Sequence, residues 1–346
     1  MSVSVQAQAA PASCRIEVEN GPAFEVGLHE DALLRGALRA GVPFPYECSV
    51  GGCGACRFEL LEGEMESLWD GAPGLSERER RRGKRLACQS RPRGDCRIRV
   101  RIGAEEPPAA APRRMQAVLA GRRPITGDMV ELHLRVAHAP PFQPGQYALI
   151  YAPGVTGARA YSMSHVDGAD GPDGGWRFIV RRVPDGRGSG ALCEQLQVGD
   201  CLDVDGPFGH AWLRPSVRDV VCVAGGSGLG PMLSVARGVL AGGGTRRVHF
   251  FLGLRTQAEL GAAHEAAALA QDRVTTTVVL SSPAQSGGWQ GPTGFVHAEV
   301  ERALPGPLER FDFYFAGPPP MIEAMQELLM VRHRVPFEQI HFDRFV

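Results

Sequence analysis

Residues 48–58 read CSVGGCGACRF, so Cys48, Cys53 and Cys56 fall close together and glycine fills much of the space between them. Three thiols at this separation can form a disulfide knot, hold zinc or hold an iron–sulfur cluster. The chain has nine cysteines, an odd number, among 346 residues. Its N-terminal MSVSVQAQAAPAS has no basic stretch leading into an apolar core, and no run of about 18 apolar residues follows anywhere. The expected location is the cytoplasm, which keeps thiols reduced, so a disulfide scaffold is not expected.

Spacing separates the two remaining chemistries. Zinc sites usually pair cysteines as C-x2-C twice, whereas these three follow C-x4-C-x2-C, the plant-type [2Fe–2S] spacing. A fourth thiolate is then needed well downstream. A loop wrapped around a cluster turns amide N–H groups toward sulfur, which forces some positions to φ > 0, and Gly51, Gly52 and Gly54 suit that demand. Structural zinc is the alternative.

Two further stretches carry phosphate chemistry. RAYSMSH (159–165) is followed by PDGRGSGAL (184–192), where Gly186, Gly188 and Ser189 can offer backbone amides to a pyrophosphate. AGGSGLGPM (224–232) follows the apolar run VVCV and opens a helical segment. There Gly225, Gly226, Gly228 and Gly230 let a phosphate approach the backbone at a helix start, although the spacing departs from G-x-G-x-x-G. A tight turn is the plain alternative.

The elements that must position these residues change character along the chain. CRIEVEN and CRIRVRI alternate as strands and bracket EDALLRGALRAG, a helix with Leu33, Leu34 and Leu38 on one face and a stop at Gly41. This predicts a small β-rich domain over residues 13–104. GAEEPPAAAPRR has no periodicity and reads as a linker over 105–113. MVELHLRV then sets Val130, Leu132, Leu134 and Val136 against Glu131, His133 and Arg135, and similar runs predict an antiparallel barrel over 114–214. Beyond it, VVCVAGG, VHFFLGL, TTTVVLSS and FDFYFAG are unbroken apolar runs separated by helical segments. They predict an α/β domain over 215–346 with a parallel sheet covered on both faces. The fold class is thus multidomain.

Taken in order, R-x-Y-S (Arg159, Tyr161, Ser162), GPFG (206–209), G-G-x-G-x-x-P (Gly225 to Pro231), G-x-R-T (Gly253, Arg255, Thr256) and G-P-P-x-M (Gly317, Pro318, Pro319, Met321) resemble the ferredoxin–NADP reductase superfamily. With a plant-type ferredoxin fused in front, the chain is similar to the reductase components of bacterial multicomponent oxygenases. The resemblance implies a β-grasp ferredoxin, a FAD-binding barrel and a NAD(P)H-binding domain. It also implies Cys88, in its Leu-Ala-Cys context 32 positions beyond Cys56, as the fourth cluster ligand. By the same resemblance Arg159 pairs with the FAD pyrophosphate, Tyr161 packs on the flavin ring and Ser162 lies near its N5. Met163, Gly186, Gly188 and Ser189 complete the FAD loops. Gly225, Gly226, Gly228, Gly230, Pro231, Arg255, Gly317 and Pro318 receive the nicotinamide nucleotide. Phe345 either covers the second flavin face or docks after the last strand. Ala316 stands where the family usually has cysteine.

This cofactor set explains three domains in one chain: NAD(P)H yields two electrons as hydride, a [2Fe–2S] centre takes one at a time, and flavin converts between them. The resemblance favours NADH over NADPH. The expected partner is a terminal oxygenase, Rieske or di-iron, with the chain monomeric in isolation. A net charge of −1 with a pI near 6.8 argues against a nucleic-acid or membrane binder. Lys84 is the sole lysine, and the run Arg78, Arg80, Arg81, Arg82, Lys84, Arg85 just before Cys88 is a candidate dock for an acidic partner surface. Two other readings are a reductase for a non-oxygenase acceptor and a zinc-stapled redox sensor or assembly protein.

Overall fold

Along Ser13–Val18 (β1), Cys14, Ile16 and Val18 turn inward while Ser13, Arg15 and Glu17 face solvent, as period-2 alternation requires. The computed structural model describes residues 13–103, 110–168, 175–269, 272–283 and 288–345. The N-terminal stretch read for a leader, and most of the 105–113 linker, lie outside these residues. The chain divides into two compact units, Met1–Pro112 and Arg113–Val346.

In the first unit, β1 pairs with Ala23–Gly27 (β2), and the helix Leu33–Arg39 (α1) follows. Gly41 ends the helix at φ 74°, as expected of a residue without a Cβ. Arg57–Glu62 (β3), Met65–Ser67 (β4), the short helix Glu77–Arg81 (α2), Lys84–Leu86 (β5), Ser90–Pro92 (β6) and Cys96–Arg99 (β7) complete it. The main sheet has the order β2-β1-β7-β3-β5, with β1 and β7 parallel, and α1 packs against β2. This is the β-grasp arrangement. β7 stops at Arg99, short of the expected CRIRVRI, because β1 ends at Val18 opposite Ile98.

The second unit begins with six antiparallel strands: Arg113–Pro124 (β8), Met129–Val136 (β9), Tyr147–Tyr151 (β10), Arg159–Ser162 (β11), Gly175–Arg181 (β12) and, after the short helix Arg187–Gly190 (α3), Cys201–Phe208 (β13). Their order is β11-β10-β13-β8-β9-β12, and a bridge between Met163 and Phe178 brings the two edges together into a nearly closed barrel. Leu132, Leu134, Trp176 and Phe178 fill its centre.

A parallel sheet follows, from Asp219–Gly225 (β14), Val248–Leu254 (β15), Val274–Leu280 (β16), Phe311–Gly317 (β17) and Ile340–Arg344 (β18). The order β16-β15-β14-β17-β18 puts β14 at the centre, where strand order reverses. Val220, Cys222 and Ala224 of β14 enter a core shared with Leu229–Ala241 (α4) and Gly261–Ala267 (α5). Val221 and Val223 enter another, shared with Val296–Ala303 (α6) and Pro319–Gln326 (α7). Two covered faces are why the strand reads as one apolar run.

The barrel and this sheet also share a core. Met129 and Ile179 of the barrel pack with Leu229, Met232 and Leu233 of α4. The change of sequence period near 214 therefore marks a change of architecture inside one packed unit. Among the described residues, no helix is long and apolar enough to cross a membrane.

Candidate functional site

The cysteine loop lies between α1 and β3. Gly51 and Gly54 take φ 93° and 79°, and Ser49 joins them at φ 56°. Gly52 does not adopt positive φ; its amide is instead directed to the Cys48 sulfur. At Gly54 a Cβ would lie 2.3 Å from the Gly74 carbonyl oxygen, so only glycine fits this close pass.

Cys88 sits on the 3-10 turn Ala87–Gln89 and reaches the loop, its sulfur 3.3 Å from that of Cys56. Cys48 and Cys53 form a second pair: their thiols are hydrogen-bonded, and the Cys53 amide donates to the Cys48 sulfur at 3.3 Å. The Cys53 thiol first, and then the amides of Val50, Cys53 and Gly52, pull Cys48 down to about 5 against the opposing effect of burial. Cys53 is correspondingly pushed up, by the Cys48 thiol and then burial. Cys56 is lowered by its contact with Cys88, and Cys88 is raised by Cys56 and by burial. All four are free thiols.

The donor set fits a [2Fe–2S] centre. Such a centre takes two thiolates on each of two irons, and the sulfurs stand in two pairs with amides already aimed at them. Among the described residues, no group of three or more His, Cys, Asp or Glu side chains is placed to hold one metal ion. Cys96 stands outside the set, its thiol donating to the carbonyls of Gly94 and Glu64 at 3.3 and 3.5 Å.

In the barrel, Arg159 opens β11, and its guanidinium donates to the carbonyls of Ala158 and Gly157 at 3.0 and 3.3 Å. A Cβ on Gly188 would come within 2.9 Å of the Arg159 Cγ, so the arginine lies directly against the first turn of α3. Ser189 Oγ accepts from the Val183 amide at 3.0 Å and donates to the Gly186 carbonyl at 3.3 Å, which closes the turn around Gly186. Tyr161 is half-buried, and burial first, then the nearby Cys193, raises its phenol above the usual range. Ser162 is buried opposite Tyr147. A cationic guanidinium beside a glycine turn fits a dinucleotide pyrophosphate. The Met163 side chain fills the barrel core, and its amide donates to the Gln146 carbonyl at 3.0 Å.

In the parallel sheet, Gly225 ends β14, Gly226 turns at φ 55°, and Gly230 and Pro231 lie in the first turn of α4. At Gly228 a Cβ would be 1.9 Å from the Ala316 carbonyl oxygen of β17, and at Gly225 it would meet the Met321 sulfur at 2.7 Å and Pro318 Cδ at 3.0 Å. Gly225, Gly317 and Pro318 thus meet where strand order reverses, the crevice in which parallel sheets take nucleotides. The unusual glycine spacing follows from this contact with β17. The Phe345 amide donates to the Gly317 carbonyl at 3.2 Å, and its side chain lies half-buried against the core.

Sequence reading missed a charge network beneath this loop. Arg181 of β12 donates from Nε to Asp128 at 2.7 Å and also pairs with Glu259. Glu259 in turn accepts from the Arg255 amide at 2.7 Å and pairs with the Arg255 side chain at 3.2 Å. Burial works to raise Glu259, but the Arg255 amide and Arg181 outweigh it and hold the carboxyl below its ordinary range. A Cβ on Gly226 would lie 2.6 Å from an Arg181 nitrogen, so the barrel supports the nucleotide loop from below. The i, i+4 spacing of Arg255 and Glu259 was the one signal in the sequence.

Comparison with known proteins finds three domains along the chain. The sequence profile of the 2Fe-2S iron-sulfur cluster binding domain matches residues 12–93, that of the oxidoreductase FAD-binding domain 116–212, and that of the oxidoreductase NAD-binding domain 222–327. The ferredoxin–NAD(P)(+) reductase CarAd of Metapseudomonas resinovorans is 40% identical over 91% of this chain and 94% of its own. The ferredoxin–NAD(+) reductase component of the alkene monooxygenase system of Xanthobacter autotrophicus is 38% identical over 92% of this chain and 96% of its own. The solved ferredoxin reductase in carbazole 1,9a-dioxygenase superposes with a TM-score of 0.87 at 35% identity, over 98% of this chain and all of that one.

Fold and sites together define an NAD(P)H-dependent flavin iron–sulfur oxidoreductase. The chain belongs to the ferredoxin–NAD(P) reductase family, as a member that carries its [2Fe–2S], FAD and NAD domains in one polypeptide. It is an electron-transfer reductase.

Proposed function

We propose that this reductase supplies electrons to the terminal component of an oxygenase and that Cys48, Cys53, Cys56 and Cys88 hold the cluster from which they leave. The observation that carries the cluster assignment is the arrangement of four free thiols in two pairs. The relatives' names support the acceptor, since they include components of dioxygenase and monooxygenase systems alike. FAD, when bound, takes hydride from the nicotinamide and releases electrons singly.

The chain's own residues orient and hold. Arg159, with the turn Gly186–Ser189, would grip the FAD pyrophosphate, Tyr161 would pack on the flavin and Ser162 would lie near its N5. Gly225, Gly226, Gly228 and Gly230, with Pro231, Arg255, Gly317 and Pro318, would receive the nucleotide, with NADH preferred because Glu259 already engages Arg255. Phe345, docked beside Gly317, would border that site. The protein acts in the cytoplasm as a monomer that docks its partner transiently.

Docking is carried by the basic segment before Cys88. Arg78, Arg82 and Lys84 are exposed, whereas Arg80 donates to the carbonyls of Ala72 and Leu75 at 2.7 Å each and Arg81 pairs with Glu77. A surface hollow joins Lys84 and Arg85 to Trp69 and Gln89, both of which border the cysteine loop at Gly51. Purified protein should be red-brown, with iron and acid-labile sulfide in equal amounts, and should reduce its oxygenase with NADH. A yellow protein containing zinc would overturn the reading.

A further inference from the structure

Helix α1 buries a charge. Leu33, Leu34, Ala37 and Leu38 line its buried surface, yet Arg35 among them is only 3% exposed. Desolvating a guanidinium is costly, and an apolar side chain would suit these surroundings. The helix packs on the 3-10 turn that carries Cys88, and Arg35 Nη1 donates to the Cys88 carbonyl at 3.3 Å. Its Nε pairs with Asp31 at 3.1 Å, and Asp31 is 21% exposed. A cation is therefore locked beside one ligand of the proposed centre, with its counter-charge closer to solvent.

We propose that Arg35 is a positioning residue that raises the reduction potential of the cluster. The inference rests on the assignment of the four cysteines as its ligands. One electron, supplied by the reduced flavin, enters the centre with no bond made or broken, and it adds negative charge to a group already anionic. A fixed positive charge at the Cys88 backbone stabilises the reduced state more than the oxidised one, and low local polarity leaves that effect little screened. The hydrogen bond to the Cys88 carbonyl also fixes the ligand-bearing turn. The consequence is a cluster that draws electrons from flavin more readily than an otherwise similar loop without the arginine.

The test is a dithionite titration of the full-length protein, followed by the electron paramagnetic resonance signal of the reduced cluster. Arg35→Gln should lower the reduced-to-oxidised ratio at a fixed solution potential about tenfold, equivalent to about 59 mV for one electron. Arg35→Lys should return most of that loss. Asp31→Asn, which removes the counter-charge, should move the ratio the other way, a result that damage to the fold would not produce. Iron and sulfide are measured on every variant. Full clusters with unchanged ratios, or shifts of one sign in Arg35→Gln and Asp31→Asn, would overturn the role of Arg35. A wild-type protein without iron would overturn the ligand assignment beneath it.

Discussion

The cysteine loop and the nucleotide loop are both rich in glycine, but the glycines answer to different neighbours. Gly51 and Gly54 adopt left-handed backbone so that a short loop can curl its amides onto its own sulfurs. Gly228 sits at φ −59°, open to any residue, and is kept from having a side chain by the Ala316 carbonyl and the Gly317 nitrogen of β17. Three of the four cysteines of the first site fall within nine consecutive residues. The second is assembled by a sheet whose strands lie nearly a hundred residues apart in the chain.

That contrast predicts where damage spreads. Gly228→Ala should have the largest effect, because its Cβ would have to displace backbone at the centre of the parallel sheet; overpacking of this kind costs about 1–3 kcal/mol or more. Thermal unfolding should fall by several degrees and flavin reduction by NADH should be nearly abolished. Gly54→Ala should confine its harm to the first unit, lowering iron content while NADH still reduces the flavin. Equal loss of flavin reduction in the two variants would break the comparison.

A smaller effect is expected in the barrel. Arg159→Ala removes a charge-assisted contact worth about 1.5–3 kcal/mol, so FAD should dissociate at least about tenfold more readily, read by filtration and flavin fluorescence. Ser162→Ala should keep FAD and slow its reduction, which separates gripping from orienting. The mildest change is at the surface. Arg78, Arg82 and Lys84 changed together to glutamate should slow reduction of the oxygenase and flatten its dependence on salt, while NADH–ferricyanide turnover stays near wild type.

The same contrast explains how much could be read in advance. The grouping of Cys48, Cys53 and Cys56 in one loop was legible because their spacing is a local property. The parallel strands were legible because two covered faces leave an unbroken apolar run. Arg181 beneath Gly226 was not, since nothing along the chain links a barrel strand to a turn in the next domain. Nor did RAYSMSH show that Met163, the first residue past β11, turns its side chain to the inner face of the barrel. Arg80 looked like part of a free basic surface until its two carbonyl partners came into view.

The central claim is that electrons enter through one site and leave through a separate four-thiolate centre. Cys88→Ala tests it most directly, with iron analysis beside two NADH assays. The variant should lose its cluster and its reduction of cytochrome c, while ferricyanide, reduced at the flavin, is still turned over at near the wild-type rate. A variant that keeps a full cluster and wild-type cytochrome c reduction would contradict the account.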